Sequence, residues 1–130
     1  MGNPVMFFEI AGKNGESLRD FYSALFDEWA ILPFGWSTPH FPNDIFAIDP
    51  TPPPMPDEGI KGHIFPMPDD MNLSNRVSIF IQVEDIEETL KQIESKGGKM
   101  LVTKQLLPDG LGSIAMFADP SGNVIGLHQI

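Results

Sequence analysis

Val77-Ser78-Ile79-Phe80-Ile81-Gln82-Val83-Glu84-Asp85-Ile86-Glu87-Glu88-Thr89-Leu90-Lys91-Gln92-Ile93-Glu94-Ser95-Lys96-Gly97-Gly98 is the stretch from which the fold is read. Val77, Ile79, Ile81 and Val83 alternate with Ser78, Phe80 and Gln82, the period of a half-buried strand. Asp85 then stands three residues before Glu88, the spacing of a capping box in which a side chain accepts from an early helical amide. Ile86, Leu90 and Ile93 recur on one helical face, Lys96 falls in the last turn, and Gly97-Gly98 stops the helix. A strand runs directly into an amphipathic helix.

Downstream, Lys99 to Thr103, Ile114 to Ala118 and Val124 to Ile130 read as strands, divided by the turn signals Pro108-Asp109-Gly110 and Pro120-Ser121-Gly122-Asn123. Upstream the same order occurs once more. Pro4 to Ile10 reads as a strand with Met6, Phe8 and Ile10 on the core face and Val5, Phe7 and Glu9 on the other. Asn14-Gly15 marks a turn, and Leu18, Phe21, Tyr22, Leu25 and Phe26 give a helix whose continuous apolar stripe is expected to lie on a sheet. Ala30 to Phe34, Ile45 to Ile48 and Ile60 to Phe65 supply three further strands. Between the last two, the Pro-rich segment Asp49 to Gly59 is expected to be a stiff, exposed loop, either a lid or a spacer.

Strand, helix, three strands therefore appear twice, an internal repeat of roughly 65 to 70 residues that is too long for a solenoid period. A sheet with a helix on one face leaves its other face uncovered, so each copy needs its neighbour. The expected fold is α+β: one domain over residues 1–130, built from two pseudo-symmetric βαβββ modules at about 1–66 and 76–130. They are expected to form a curved, mostly antiparallel sheet around a ligand cavity.

With 42% hydrophobic residues among 130, including 10 Phe and 2 Trp, the chain can build a core. Its 18 acidic against 8 basic residues give a net charge of -10, which repels phosphate backbones and anionic bilayers and argues against nucleic-acid or membrane partners. Cysteine is absent from the sequence, which excludes disulfides, thiolate nucleophiles and sulfur-ligated metals. Met1 to Glu9 lacks the pattern of a secretory signal, and no apolar run of about 18 residues occurs, so a cytoplasmic location is expected.

The segment Phe117-Ala118-Asp119-Pro120-Ser121-Gly122-Asn123-Val124-Ile125-Gly126-Leu127 resembles the C-terminal signature of the vicinal-oxygen-chelate superfamily, which includes glyoxalase I, bleomycin-resistance proteins and extradiol dioxygenases. Val83-Glu84-Asp85-Ile86 before a helix ending in Lys96-Gly97-Gly98-Lys99 resembles the same family's second module, and Phe8-Glu9-Ile10 with Leu18 to Phe26 resembles its first. The resemblance implies a homodimer and, in enzymes of the family, a divalent metal held by a His on the first strand and a Glu on the last strand of each module. In this sequence the His positions correspond to Phe7 and Ser78, and the Glu positions to Gly62 and Gly126. None of the four is a strong ligand, so the resemblance implies the fold without its metal chemistry.

By alternation, the cavity face carries Phe7 and Glu9, then Ser78, Phe80 and Gln82, then Gly126 and His128. Aromatic walls with a few polar atoms suit a small molecule, and Phe7 and Phe80 are placed either to stack a flat ligand or to pack the modules together. Glu9 is the catalytic candidate, as a general base or ligand anchor, against the alternative of a structural ion pair; His128 is its candidate acid-base partner. His63 is placed on the face opposite Gly62, and enters the cavity with Glu9 and His128 as an atypical metal site only with a one-residue change of register. Trp29 and Trp36 flank the second strand, Trp36 with Ser37, Thr38 and Pro39 is a candidate for the rim of the pocket or of an oligomer interface, and His40 is read as a loop residue. The expected function is small-molecule binding, independent of metal and of any cofactor. The alternatives are a lyase, isomerase or dioxygenase using an atypical metal site or Glu9 as base, and an interaction module with no ligand.

Overall fold

In the computed structural model, residues 2–35 and 44–130 are described, so the readings made for Trp36 and His40 lie outside the described residues. The elements are β1 (Val5–Gly12), α1 (Gly15–Leu25), β2 (Ala30–Pro33), β3 (Phe46–Asp49), β4 (Lys61–Pro66), β5 (Arg76–Gln82), α2 (Ile86–Ser95), β6 (Lys99–Leu106), β7 (Ser113–Ala118) and β8 (Val124–Gln129). The chain divides into two compact units. The first is Phe7–Val77, and the second joins the residues up to Met6 to Ser78–Ile130.

Both units share one topology. In the first the strand order is β2-β3-β4-β1 and in the second β6-β7-β8-β5, so the second repeats the first with every strand number raised by four. Each has one parallel pair, β1 with β4 or β5 with β8, and two antiparallel pairs. The α+β fold of two βαβββ repeats, mostly antiparallel in pairing, is thus present. Among the described residues no helix is long and apolar enough to cross a membrane.

In the first unit, Asn14-Gly15 is a helix start rather than a free turn: the Asn14 side chain accepts from the Ser17 amide at 2.9 Å, satisfying an otherwise orphan donor. Gly15 is required there, since a Cβ would lie 2.6 Å from the Pro66 ring. The expected stripe on α1 divides in two. Leu18 and Tyr22, one helical turn apart, pack with Ile10, Ile31, Phe46, Ile48 and Ile64, joined by Phe8 and Trp29. Phe21 and Leu25, also one helical turn apart, are both 59% exposed, so that side of the stripe is left uncovered. Met6, expected in the core, is also exposed at the start of β1.

In the second unit, Asp85 caps α2 by accepting from the Glu88 amide at 3.1 Å, and the β8 side chain of Gln129 accepts from the Ile86 amide at 2.8 Å. Ile86, Leu90 and Ile93 pack on Val83, Ala115, Leu127 and Phe117. The alternation along β5 is real but its burial is the reverse of the usual half-buried strand. Val77 and Ile79 are exposed, whereas Ser78 and Phe80 are buried at 2% and 0%. Phe80 lies over its register partner Gly126, where a Cβ would come within 2.3 Å of the ring, and Ser78 donates from its hydroxyl to the Val124 carbonyl at 2.7 Å. Phe8 covers its own partner Gly62 in the same manner in the first unit.

The Pro-rich segment is tied to itself. Thr51 receives at its hydroxyl the Glu58 amide, the Thr51 amide donates to Asp49, and Lys61 lies 3.9 Å from Asp49 and 3.8 Å from Asp57. At the β7–β8 turn, the Asp119 carboxylate accepts from the Asn123 side chain at 2.8 Å and from the Ser121 and Asn123 amides at 2.9 Å each. These bonds, led by that from the Asn123 side chain, hold the Asp119 carboxyl below its ordinary value. The Asp-Pro-Ser-Gly-Asn segment therefore serves as a structural clamp on the turn.

Candidate functional site

Glu9 is the charged residue that burial singles out, with its side chain only 4% exposed. Placing a carboxylate there requires partners, because an unpaired buried charge costs several kcal/mol even after relaxation. β1 and β4 run parallel with Glu9 opposite His63, so both side chains leave the same face, opposite that of Phe8 and Gly62. His63 donates from Nε2 to Glu9 Oε1 at 2.8 Å, and Arg76 donates from Nη2 to Glu9 Oε2 at 2.7 Å. The other arm of Arg76, Nη1, reaches Met67 Sδ at 3.2 Å. Phe7 borders the cluster, its ring centroid 5.4 Å from that of His63.

The placement of His63 corrects the sequence reading, which put it on the face away from the cavity. The parallel register decides this: Gly62, opposite Phe8, belongs to the helix side, and His63, opposite Glu9, to the other. Equating Phe7 with Ser78 across the repeat equates Glu9 with Phe80. Their register partners are His63 and Gly126, so the first-module counterpart of Gly126 is His63 and not Gly62. Arg76, outside the strand that the alternation marks from Val77, is the first residue of β5. Its signal was available: Arg76 precedes Ser78 by two residues, on the face of Ser78, Phe80 and Gln82.

The remaining candidates lie in the second unit. Ser78 is spent on the Val124 carbonyl and Phe80 on Gly126. Gln82 stands opposite His128 in the β5–β8 register, and its backbone is held by Pro4 and Asn3. His128 is 8% exposed and donates from Nε2 to the Leu111 carbonyl at 2.8 Å. Glu9 finds its imidazole partner in His63, therefore, where the sequence reading had named His128.

These donors do not fit a divalent metal. Both Glu9 oxygens already accept, one of them from a guanidinium whose positive charge occupies the place a cation would take. Among the described residues no group of three or more His, Cys, Asp or Glu is gathered to hold a metal ion. The chemistry open to the cluster is that of a carboxylate fixed by two donors: orienting an imidazole, balancing a guanidinium, and presenting an ordered polar group beside the Phe7 ring.

Three solved structures illustrate what the fold resembles. A hypothetical protein, BH1468 from Bacillus halodurans C-125, superposes with a TM-score of 0.64 at 15% identity, covering 100% of this chain and 96% of that one. Methylmalonyl-CoA epimerase from Mycobacterium tuberculosis gives 0.57 at 12% identity, covering 96% and 86%. The E144Q mutant of glyoxalase I from Zea mays gives 0.58 at 19% identity over 98% of this chain and 44% of that one. No curated protein matches the chain in sequence. The family model for the Glyoxalase/Bleomycin resistance protein/Dioxygenase superfamily matches residues 7–127, and with the repeated βαβββ topology this establishes that the chain belongs to that superfamily.

Proposed function

We propose that this chain is a metal-independent member of the superfamily that binds a small, aromatic or partly apolar molecule. The observation that carries the reading is the closed Glu9 cluster: His63 and Arg76 take both carboxylate oxygens, which leaves a fixed, charge-balanced polar anchor in place of a metal ligand set. In the first unit, Phe7 supplies the flat apolar contact and Glu9 the anchor, acting through His63. In the second, Gln82 is assigned a polar contact, with Ser78, Phe80 and His128 as the buried wall of that unit. Each residue's part is a separate proposal, open to its own substitution. A cytoplasmic, homodimeric state without nucleic-acid or membrane partners belongs to the same reading, the last two supported by a net charge of -10.

The test is a thermal-shift screen of small aromatic and aliphatic compounds with and without a chelator. A ligand at about 100 times its Kd adds about 2.7 kcal/mol of apparent stability, a shift on the order of 10 °C for a domain of this size. The reading expects such a shift to survive chelation and to shrink in Phe7→Ala. A shift that requires added divalent metal overturns it and turns attention to lyase, isomerase or dioxygenase chemistry.

A further inference from the structure

An open cleft of about 440 Å³ lies in the first unit where β1 leads into α1, bounded on its far side by Asn75, Arg76 and Val77. Its volume falls within the roughly 300–1,000 Å³ range of small-molecule sites. Buried Ile10, Ala11 and Gly12 and half-buried Leu18 form the floor, while exposed Lys13, Ser17 and Asn75 stand at the rim. Among the described residues no carboxylate lines it, although the chain carries 18 acidic residues, and two of its 8 basic residues do. The charge of Arg76 is paired with Glu9, which leaves Lys13 as the cation of the cleft, although Lys13 also borders a neighbouring hollow lined by Glu16 and Asp44. The end of the helix contributes little, because the Ser17 amide is already taken by Asn14.

Gly12 keeps this space open. A Cβ there would point at Leu18 Cδ1, 3.0 Å away, and at Asn75 Oδ1, 3.8 Å away, so any side chain enters the cleft. The Gly12 backbone is not left-handed, which means that the missing side chain is not required by conformation. Meanwhile its carbonyl accepts from the Met67 amide at 2.8 Å, fixing the wall.

We propose that this cleft is a binding site for a small monocarboxylate with an apolar body, the body resting on Leu18 and Gly12 and the carboxylate meeting Lys13, with Asn75 and Ser17 supplying polar contacts. A single lysine above an apolar floor matches one negative charge on an apolar ligand, and one lysine is too few for a polyanion. The site is additional to the contacts assigned to Phe7 and Glu9, and its failure leaves that reading standing.

The experiment is an NMR titration of the whole chain with benzoate, and with benzamide as the neutral isostere, at constant ionic strength. The result expected is saturable benzoate shifts at the Gly12, Lys13 and Ser17 amides, with benzamide binding at least tenfold more weakly. Lys13→Gln weakens benzoate about tenfold, the worth of one charge-assisted contact, while Lys104→Gln, the same charge change on exposed β6, leaves it unchanged. Gly12→Val removes binding while keeping a dispersed, folded spectrum; if that variant unfolds, Ser17→Ala and Lys13→Gln carry the test. Absence of saturable shifts at these amides at millimolar benzoate, equal binding of benzamide, or full affinity in Lys13→Gln overturns the proposal.

Discussion

Replacing Arg76 by Met removes the guanidinium that lies 2.7 Å from Glu9 while keeping an unbranched apolar stem. The side chains are 9% and 4% exposed, so solvent screens the pair very little and the surface value of a salt bridge does not apply. Breaking a buried pair by removing one partner costs roughly 3–5 kcal/mol, because the other charge stays buried. His63 still donates to Glu9, which places the expected loss at the lower end, about 3 kcal/mol, or a fall in Tm of roughly 10 °C. Glu9→Gln alone is expected to destabilise as well, by removing the carboxylate charge that Arg76 and His63 both meet. The double variant is expected to lose less than the sum of the two, with a coupling of about 1.5 kcal/mol or more. Urea unfolding of the four proteins measures this directly. A loss below about 1 kcal/mol in Arg76→Met, or additivity within about 0.5 kcal/mol, would refute the account of Glu9 as a carboxylate held by a buried cation.

Three further outcomes follow from the packing and from one perturbed acid. Gly126→Ala puts a Cβ within 2.3 Å of the Phe80 ring and is expected to cost about 1–3 kcal/mol through overpacking; an unchanged Tm contradicts the close approach. Asn14→Ala removes the α1 cap and is expected to cost about 0.5–2 kcal/mol in urea unfolding, with hydrogen exchange quickened at the Ser17 amide. Asp119 has a folded-state value below its unfolded one, so its contribution to stability is full above the unfolded value and is lost as pH falls through the folded value. A carbon-detected NMR titration is expected to find its midpoint below that of ordinary aspartates and to find it raised in Asn123→Ala; an unmoved midpoint removes the Asn123 side chain as the leading cause.

What could be read from sequence followed from local signals. The second repeat was legible because Asp85, Glu88 and Gly97-Gly98 bracket α2 within a few residues, and the structure starts and stops the helix there. The order of the strands followed from the same kind of signal, turn residues between apolar runs. The α1 stripe was over-read, since spacing alone cannot tell how many of its apolar lines a sheet will accept; Phe21 and Leu25 are the lines left over. Glu9 was identified because alternation on one strand is local. Its partners were not, because the register of parallel β1 and β4 joins residues 54 positions apart and no turn between them fixes it. A one-residue difference in that register moves His63 from one face to the other. Arg76 lies two residues before Ser78, yet its reach to Glu9 joins residues 67 positions apart.

The central claim, a metal-independent site in which Arg76 and His63 hold Glu9, is tested most directly by elemental analysis. Protein purified without a tag or chelator is dialysed in turn against zinc, nickel, manganese and iron(II), then freed of excess metal and measured. The account predicts far less than one bound ion per chain for each metal, and no change in that value for Glu9→Gln. Retention near one ion per chain, lost in Glu9→Gln or His63→Ala, would contradict it.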